Sequence, residues 1–376
     1  MATRVDVAAA RRRRSARRLL ARSGTALLSI LIALVAAAPT ALADPAGPTD
    51  YQTEIIGIEP DVDGISLEVI GGDSFVELTV DPGVEVMVLG YRGEDYLHFL
   101  TDGTVLQNER SPSRWLNDDR FGDGTIPPEA TPDAEPDWVQ VSDDGQFAWH
   151  DHRSHWMNEA RPPAAGPGDV ILEAVIPMIV SGTPVEVSVR STWVEAPTTA
   201  APVVVGAMAA LALGVVVAGR TRPGGRNRSD EPNDAAPRGP MSGIAVAALT
   251  TAGVAALALA LGLVAYTSVP SETGPSPLFW FLPAIAVVLA GAALIVRRSQ
   301  AFAAASILAV AALVLAFWGW LRREALVRAI IPTDAPAWLD RIGIATAIAV
   351  GVVALVAAVW TAATPVAPAP TPERSR

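Results

Sequence analysis

The second half of the chain contains five long apolar runs that are separated by short polar segments. Each run is close to the roughly 20 residues that an α-helix needs to cross the hydrocarbon core of a bilayer. The region 199–363 is therefore predicted to be an all-α bundle of about five transmembrane helices. The predicted spans are 201–219, 243–266, 277–296, 301–320 and 342–362.

The apolar stretches of these spans carry no Asp, Glu, Lys, Arg or His. Proton relays and ion-coupled transporters place ionisable residues inside the membrane, so the bundle is predicted to be an anchor rather than a pump. A solute permease with a lid domain is a weaker alternative, which a polar cavity among the helices would favour. The tail 364–376 is predicted to be cytoplasmic and disordered.

The distribution of arginine predicts the orientation of the chain. With the N-terminal region outside, the cytoplasmic segments carry nine arginines and the outer loops carry four, which is the bias that membrane proteins show. All four outer arginines lie at 321–341. This loop is predicted to lie along the membrane interface, with three tryptophans at headgroup depth: Trp318, Trp320 and Trp338.

The first 43 residues have the pattern of a secretory signal peptide. An arginine-rich run precedes an apolar run, and the small residues Ala41–Ala43 suit cleavage before Asp44. An uncleaved anchor helix is the alternative, although the apolar run is shorter than a membrane span. The chain is therefore predicted to be a multi-pass cell-membrane protein whose N-terminal domain lies on the extracellular side.

Residues 44–198 show the alternation of apolar and polar residues that is typical of half-buried strands. Runs such as ISLEVI, SFVELTV and PVEVSVRSTWV are separated by turn signals that include DVDG, DPG and SGT. Seven or eight short strands in this length predict an all-β immunoglobulin-like sandwich ectodomain. The segment 108–138, rich in Pro and Asp, is predicted to be a long loop of the kind that often carries function.

The charge of the chain restricts its partners. Region 44–198 carries 30 acidic residues against seven arginines, while the whole chain has a net charge of −11. A domain this acidic repels nucleic acid and attracts cations, so nucleic-acid binding is excluded. The chain contains no cysteine, which excludes disulfides, thiolate metal sites and cysteine nucleophiles.

Three of the four histidines lie within one short stretch, WHDHRSHWM. Imidazole nitrogens bind copper, zinc and nickel. On a strand His150 and His152 point to one face, on a helix His152 and His155 share a face, and all three converge only if the chain turns near 153–154. We therefore predict a transition-metal site, with copper favoured, that is formed by His150 and His152 and completed by His155 or Met157.

The same stretch also has a purely structural interpretation. A histidine between tryptophans can be a buried core or corner residue, and Asp151 can form an ion pair with Arg153 that holds the long loop. The protein would then be a structural or scaffold protein of the envelope whose β-domain docks a protein partner. The contact surface would be loop 108–138 together with four tryptophans: Trp115, Trp138, Trp149 and Trp156.

No complete catalytic arrangement is visible in the sequence. The order of the histidine stretch differs from the HxHxDH order of metallo-β-lactamase-like hydrolases, and the one remaining histidine, His98, is too few for a two-metal site. The motifs G-x-S-x-G and H-E-x-x-H and the phosphate-binding glycine loop do not occur. The protein is therefore predicted not to be an enzyme.

Several stretches of this sequence, among them GGDSFVELTVDPGVEVMVLGYRGEDYLHFLTDG, FAWHDHRSHWM and IIPTDAPAWLDR, resemble an uncharacterised family of actinobacterial exported membrane proteins. The resemblance implies a signal peptide, a β-rich ectodomain and several C-terminal transmembrane helices, but no activity. A looser likeness exists to bacterial copper-handling β-sandwich proteins, which use an N-terminal histidine. The predicted mature chain begins DPAGPTD and lacks that histidine.

Overall fold

The structure is a computed structural model that describes residues 46–122, 124–158, 160–221, 240–273 and 276–363. Within these residues a β-rich region is followed by five long apolar helices, which confirms the predicted order of the two parts. Two predictions lie outside the described residues, namely the signal peptide with its cleavage before Asp44 and the cytoplasmic tail 364–376. Most of the segment 220–242, whose arginines were counted as cytoplasmic, also lies outside them.

The described part of the β-rich region contains ten antiparallel strands in two sheets. They are β1 (Tyr51–Glu59), β2 (Ile65–Ile70), β3 (Phe75–Val80), β4 (Val86–Leu89), β5 (Asp95–Phe99), β6 (Val105–Asn108), β7 (Trp138–Ser142), β8 (Gln146–Trp149), β9 (Val170–Val180) and β10 (Thr183–Trp193). One sheet has the order β1-β10-β9-β4-β5-β6-β7 and the other β2-β3-β8. Immunoglobulin domains divide their strands more evenly, and the immunoglobulin-like assignment is not confirmed.

The hairpin β9–β10 shows how the sequence produces the larger sheet. Along β10 every second residue is buried in the core, beginning with Val185, Val187 and Val189. Ser181 and Gly182 form the two-residue turn of the hairpin, with φ angles of 46° and 82°. Positive φ at both positions is the type I′ geometry, whose twist matches that of the paired strands. The turn therefore fixes the register of the two longest strands.

The two sheets enclose one common hydrophobic core. Leu78 of β3 and Trp149 of β8 pack in the same cluster as Leu97 of β5 and Ile176 of β9, and all four side chains are buried. Complete burial of a large apolar side chain stabilises a fold by about 1.5–3 kcal/mol. Trp149 is the last residue of its strand, so the core fixes the point from which the histidine stretch leaves the sheet.

The segment 108–138 is more ordered than a long loop. Helix α1 (Pro112–Leu116) begins after Ser111, whose hydroxyl accepts a hydrogen bond from the first turn. The two ends of the segment are joined because the Asn108 side-chain oxygen accepts the N–H of Asp137 at 3.0 Å. Between the helix and β7 the described chain has no further helix or strand, and it passes over the histidine stretch.

In the described part of the chain, five helices are long and apolar enough to cross a membrane, as predicted. They are α2 (Ala200–Thr221), α3 (Pro240–Thr267), α4 (Leu278–Val296), α5 (Ala301–Leu321) and α6 (Ala337–Ala363). Small residues let the helix backbones approach closely. A Cβ added at Gly206 would lie 2.8 Å from the carbonyl oxygen of Ala345, and one at Gly262 would lie 1.9 Å from that of Phe279.

The helix ends nearest to the β-rich region, which we call the proximal side, contain a buried polar cluster. Arg322 follows α5 and makes two hydrogen bonds of 3.0 Å with Asp340 in the first turn of α6. Arg341 donates to the carbonyl oxygen of Ala325 at 3.0 Å. A guanidinium removed from water needs carboxylate or carbonyl acceptors, and these contacts supply them.

The loop 321–341 was predicted to lie along the membrane interface, and that position stays a prediction. Trp318 is completely buried among the helices, and its indole N–H donates to the carbonyl oxygen of Phe279 at 2.7 Å. Arg322 and Arg341 are also buried. The two other tryptophans of that prediction are largely exposed: Trp320 and Trp338.

The β-rich region is joined directly to the proximal side. Thr49 and Ile330 form an antiparallel bridge with backbone hydrogen bonds of 3.0 and 2.9 Å. Beside this bridge, the buried carboxylate of Asp50 accepts hydrogen bonds from the Arg328 guanidinium at 2.9 Å and from the Ala329 N–H at 3.0 Å. The segment that leads into β1 therefore lies against the last loop between two helices.

Candidate histidine site

The histidine stretch forms a tight turn immediately after β8. The Asp151 carbonyl oxygen accepts the N–H of Ser154 at 2.8 Å and also its hydroxyl at 2.7 Å. Thr53 of β1 donates its hydroxyl to the Ser154 carbonyl oxygen at 2.6 Å. The chain thus turns at 153–154, which is the condition under which the sequence allows all three histidines to approach one another.

The Asp151 carboxylate holds the shape of this turn. It is fully buried and accepts hydrogen bonds from the Arg153 guanidinium at 2.7 and 2.8 Å and from the Trp149 indole at 3.0 Å. Burial raises the pKa of Asp151, but the charge and hydrogen bonds of Arg153 outweigh burial and leave that pKa below its usual value. Arg153 also donates to the Leu89 carbonyl oxygen and lies over the Tyr91 ring.

The three imidazole rings lie in contact in the order His150, His155, His152. Their ring centroids are 6.1 Å apart between His150 and His155, and 5.4 Å apart between His152 and His155. His150 stacks on Phe75 and His152 stacks on Tyr91. Two imidazoles bound to one metal ion have centroids about 5–6 Å apart, given metal–nitrogen distances of about 2.0 Å. The pair His152–His155 falls within that range.

Backbone carbonyl groups determine which nitrogens of this pair carry hydrogen. His152 Nε2 lies 2.9 Å from the carbonyl oxygen of Asp119, and His155 Nδ1 lies 3.2 Å from that of Trp156. A carbonyl oxygen only accepts, so each of these nitrogens is a donor. In the neutral rings the opposite nitrogens, His152 Nδ1 and His155 Nε2, therefore carry the lone pairs. His155 Nε2 is buried without a hydrogen-bond partner in the described part of the chain.

Burial keeps both rings neutral at physiological pH. It lowers the pKa of His152, where the carbonyl of Asp119 and the charge of Asp151 oppose the shift only in part. For His155 burial is again the main cause, the nearby charge of Arg120 adds to it, and the pKa falls to about 3. Metal ligands must be deprotonated to bind, and these two imidazoles already are.

Met157 brings a sulfur-containing side chain to the same place. A Cβ added at Gly122 would lie 3.0 Å from Cε1 of His152 and 3.3 Å from Cε of Met157. Gly122 also has a φ of 76°, which favours glycine. The long segment therefore lies against the ring and the thioether at a position where a side chain would strain the backbone and require these neighbours to shift.

The described residues contain no group of three or more His, Cys, Asp or Glu side chains placed to hold a metal ion. A three-ligand site in this cluster would thus require the thioether of Met157 beside the two imidazoles. His150 is in contact with His155 but stacks on Phe75 at a centroid distance of 4.0 Å, so it lies at one end of the cluster rather than at its centre.

The four tryptophans that were predicted as a docking surface lie in different environments. Trp149 is a core residue and cannot contact a partner from there. Trp115 and Trp156 are half-buried and donate their indole N–H groups to the carbonyl oxygens of Glu109 and Ala160. Trp138 is half-buried on β7 beside His98.

Several residues of the site carry no recognisable signal in the sequence. Asp119 contributes only its backbone carbonyl, which every residue possesses, and Phe75 and Tyr91 resemble ordinary strand or loop aromatics. Gly122 lies in the turn-rich stretch NDDRFGDG, whose composition indicates a loop but not what it covers. The chain matches no family model, no curated protein and no solved structure.

Proposed function

We propose that this protein is an exported multi-pass membrane protein whose β-rich region binds a transition-metal ion, with Cu(I) as the favoured ion. The observation that carries the proposal is the pair of neutral imidazoles, His152 and His155. Each ring donates one N–H to a backbone carbonyl, which is the outer-shell arrangement that orients histidine ligands in metal sites. Their opposite nitrogens carry the lone pairs that would bind the ion, and His155 Nε2 has no hydrogen-bond partner among the described residues.

The choice of ion follows from the ligands that surround this pair. Cu(I) is a soft ion that accepts thioether and imidazole ligands, and Met157 supplies the thioether beside His152. A harder ion would need a carboxylate, whereas the carboxylate of Asp151 in the same turn is engaged by Arg153 and Trp149. The strongly acidic region around the site favours the approach of cations over long distances.

Metal affinity of the full-length protein in detergent tests this proposal. Cu(I) is titrated against a competing chelator, and His152→Ala/His155→Ala is compared with the wild type. We expect the affinity to fall more than about 100-fold in this variant, since loss of outer-shell contacts alone costs 10–100-fold. His98→Ala is the matched control, because His98 lies outside the cluster and pairs with Glu85 at 2.7 Å.

Two further variants separate the ligands. Met157→Leu keeps the volume of the side chain but removes sulfur, so it should weaken Cu(I) binding more than Zn(II) binding. His150→Ala should have a smaller effect than His155→Ala because His150 stacks on Phe75. Wild-type affinity for both ions no tighter than millimolar would exclude the proposal.

Export and orientation are part of the same proposal. The arginine bias and the N-terminal signal pattern support an extracellular β-rich region. Because the natural chain has no cysteine, a single introduced cysteine can be labelled selectively. Thr183→Cys in the hairpin should react with a membrane-impermeant maleimide on intact cells, while Ser299→Cys between α4 and α5 should not.

One specific observation favours a second candidate function, a scaffold protein of the envelope that docks a protein partner. Asp151, Arg153 and Trp149 form a buried network that fixes the turn and needs no metal. If the histidine stretch has only this structural role, the wild type will bind Cu(I) weakly, and His152→Ala/His155→Ala will bind it equally weakly. The variant will also have a lower thermal stability than the wild type. Crosslinking from Trp138 or Trp156 on intact cells would then identify the partner.

A further inference from the structure

A cavity of about 240 Å³ lies between the β-rich region and the proximal side of the helices. We call it the junction cavity. Three arginines from separate parts of the chain line it: Arg120 from the long segment, Arg161 beyond the histidine stretch, and Arg328 from the last proximal loop. Region 44–198 contains only seven arginines against 30 acidic residues. Two of these seven, Arg120 and Arg161, line this cavity together with Arg328 from the helical region.

These arginines retain donors that no protein group engages in the described structure. Arg120 donates to the buried Asp73 at 2.6 Å, and Arg328 donates to Asp50 at 2.9 Å. Arg161 is about two-thirds exposed and lies 3.7 Å from Asp50. A guanidinium has five N–H donors, and the described bonds of Arg120 and Arg328 use one nitrogen of each. An oxyanion in the cavity would have several donors within reach.

A smaller apolar cavity adjoins the junction cavity on its membrane side. It measures about 100 Å³ and shares Pro48 and Glu324 with its neighbour. Its lining includes Phe279 in the first turn of α4 and Leu321 at the end of α5. The two cavities together thus pass from an arginine-lined polar space to an apolar space at the boundary of the helices.

We propose that the junction cavity binds the phosphate-bearing headgroup of an anionic membrane lipid, with the start of an acyl chain in the adjoining apolar cavity. An anionic ligand fits because the three guanidinium groups that line the polar part outnumber its one lining carboxylate, Glu324. A membrane lipid is favoured over a soluble anion because the acidic region repels soluble anions and because the apolar cavity adjoins the ends of α4 and α5. This proposal does not depend on metal binding, since it uses none of the proposed ligands.

Lipid retention by the full-length, metal-free protein tests the proposal. The protein is reconstituted in nanodiscs that contain phosphatidylglycerol and phosphatidylcholine in equal amounts, and the lipids retained after extraction into detergent are counted by native mass spectrometry. We expect selective retention of phosphatidylglycerol. Arg161→Gln should reduce it about tenfold, which corresponds to the loss of one charge-assisted hydrogen bond, and Arg161→Lys should reduce it less.

The control is Arg190→Gln, because Arg190 is an exposed arginine of the same region that pairs with Glu173 on β9. This variant should retain phosphatidylglycerol as the wild type does, and an equal loss in both glutamine variants would contradict a local site. Equal retention of the two lipids by the wild type would overturn the proposal. So would displacement of phosphatidylglycerol by inorganic phosphate alone, because the cavity would then take a soluble anion.

Discussion

Two buried ion pairs stabilise different parts of this molecule in different ways. Asp151 and Arg153 lie two residues apart, and their pair shapes a single turn. Arg322 and Asp340 lie 18 residues apart and join the end of α5 to the start of α6. The Asp151 carboxylate also accepts a hydrogen bond from the Trp149 indole N–H. In the described structure the side chain of Asp340 accepts hydrogen bonds from Arg322 alone. The local pair therefore has a further hydrogen-bond donor to its carboxylate, whereas the long-range pair is flanked on its arginine side by the Phe279 and Trp318 rings.

Arg322→Ala should have the largest effect on stability. It leaves the buried Asp340 without its partner, and breaking a buried ion pair in this way costs about 3–5 kcal/mol. Thermal unfolding of the detergent-solubilised protein measures the change. Arg323→Ala is the control, because Arg323 is about half-exposed and surface substitutions change stability by less than about 0.5 kcal/mol. Equal losses of stability in Arg322→Ala and Arg323→Ala would show that the Arg322–Asp340 pair does not stabilise the fold.

Asp151→Asn should cost less, about 2 kcal/mol. The amide keeps the shape of the carboxylate, and Arg153 keeps its hydrogen bond to the Leu89 carbonyl oxygen and its contact with Tyr91. Chemical unfolding followed by tryptophan fluorescence measures the loss. The control is Asp143→Asn on the exposed turn before β8. A loss larger than that of Arg322→Ala would reverse the comparison between the two pairs.

Acid should weaken the histidine cluster. The pKa of His155 is about 3 in the folded protein and about 6.5 in the unfolded chain, so the unfolded chain binds more protons between these values. Stability is therefore lost as pH falls below about 6.5, by about 1.4 kcal/mol at pH 5.5. The unfolding free energy of the metal-free protein should show this loss, and His155→Gln should remove it. Parallel pH profiles of the unfolding free energy for the wild type and His155→Gln would contradict the prediction.

Asp50→Asn should have the smallest effect, about 1 kcal/mol, because the Thr49–Ile330 backbone bridge remains. Hydrogen exchange of the amides of Thr49 and Ile330 should become several-fold faster, while the amides of β9 and β10 keep their protection. Glu173→Gln, which breaks the exposed pair with Arg190, should leave the exchange at the bridge unchanged. Slower exchange in Asp50→Asn would show that the carboxylate opposes docking.

The parts of the structure that depend on local patterns were predictable from the sequence. The five apolar helices follow from the length of the apolar runs, and the strand β10 follows from its alternation of apolar and polar residues. The turn at 153–154 was identified as the condition for convergence of the histidines, although the sequence did not decide whether it forms. In each of these cases the residues that decide the structure are neighbours along the chain.

The parts that depend on distant residues were not predictable. Nothing in the sequence indicates that Arg322 would pair with Asp340 instead of facing the membrane surface, since the two are joined only by the packing of helices. The carbonyl oxygen of Asp119 fixes the tautomer of His152 from 33 residues away. Backbone acceptors have no sequence signature, so the outer shell of the histidine site becomes visible only in the fold.

The bridge between Thr49 and Ile330 also sets an order of assembly. The carboxylate of Asp50 and the guanidinium of Arg328 are 278 residues apart in the chain, so the first is synthesised long before the second. At synthesis rates of about 5–20 residues per second, Arg328 is therefore synthesised roughly 15–55 s after Asp50. These contacts therefore form only after α5 and the loop that follows it have been synthesised, and a chain that stops before this loop would lack the docking partner of the β-rich region.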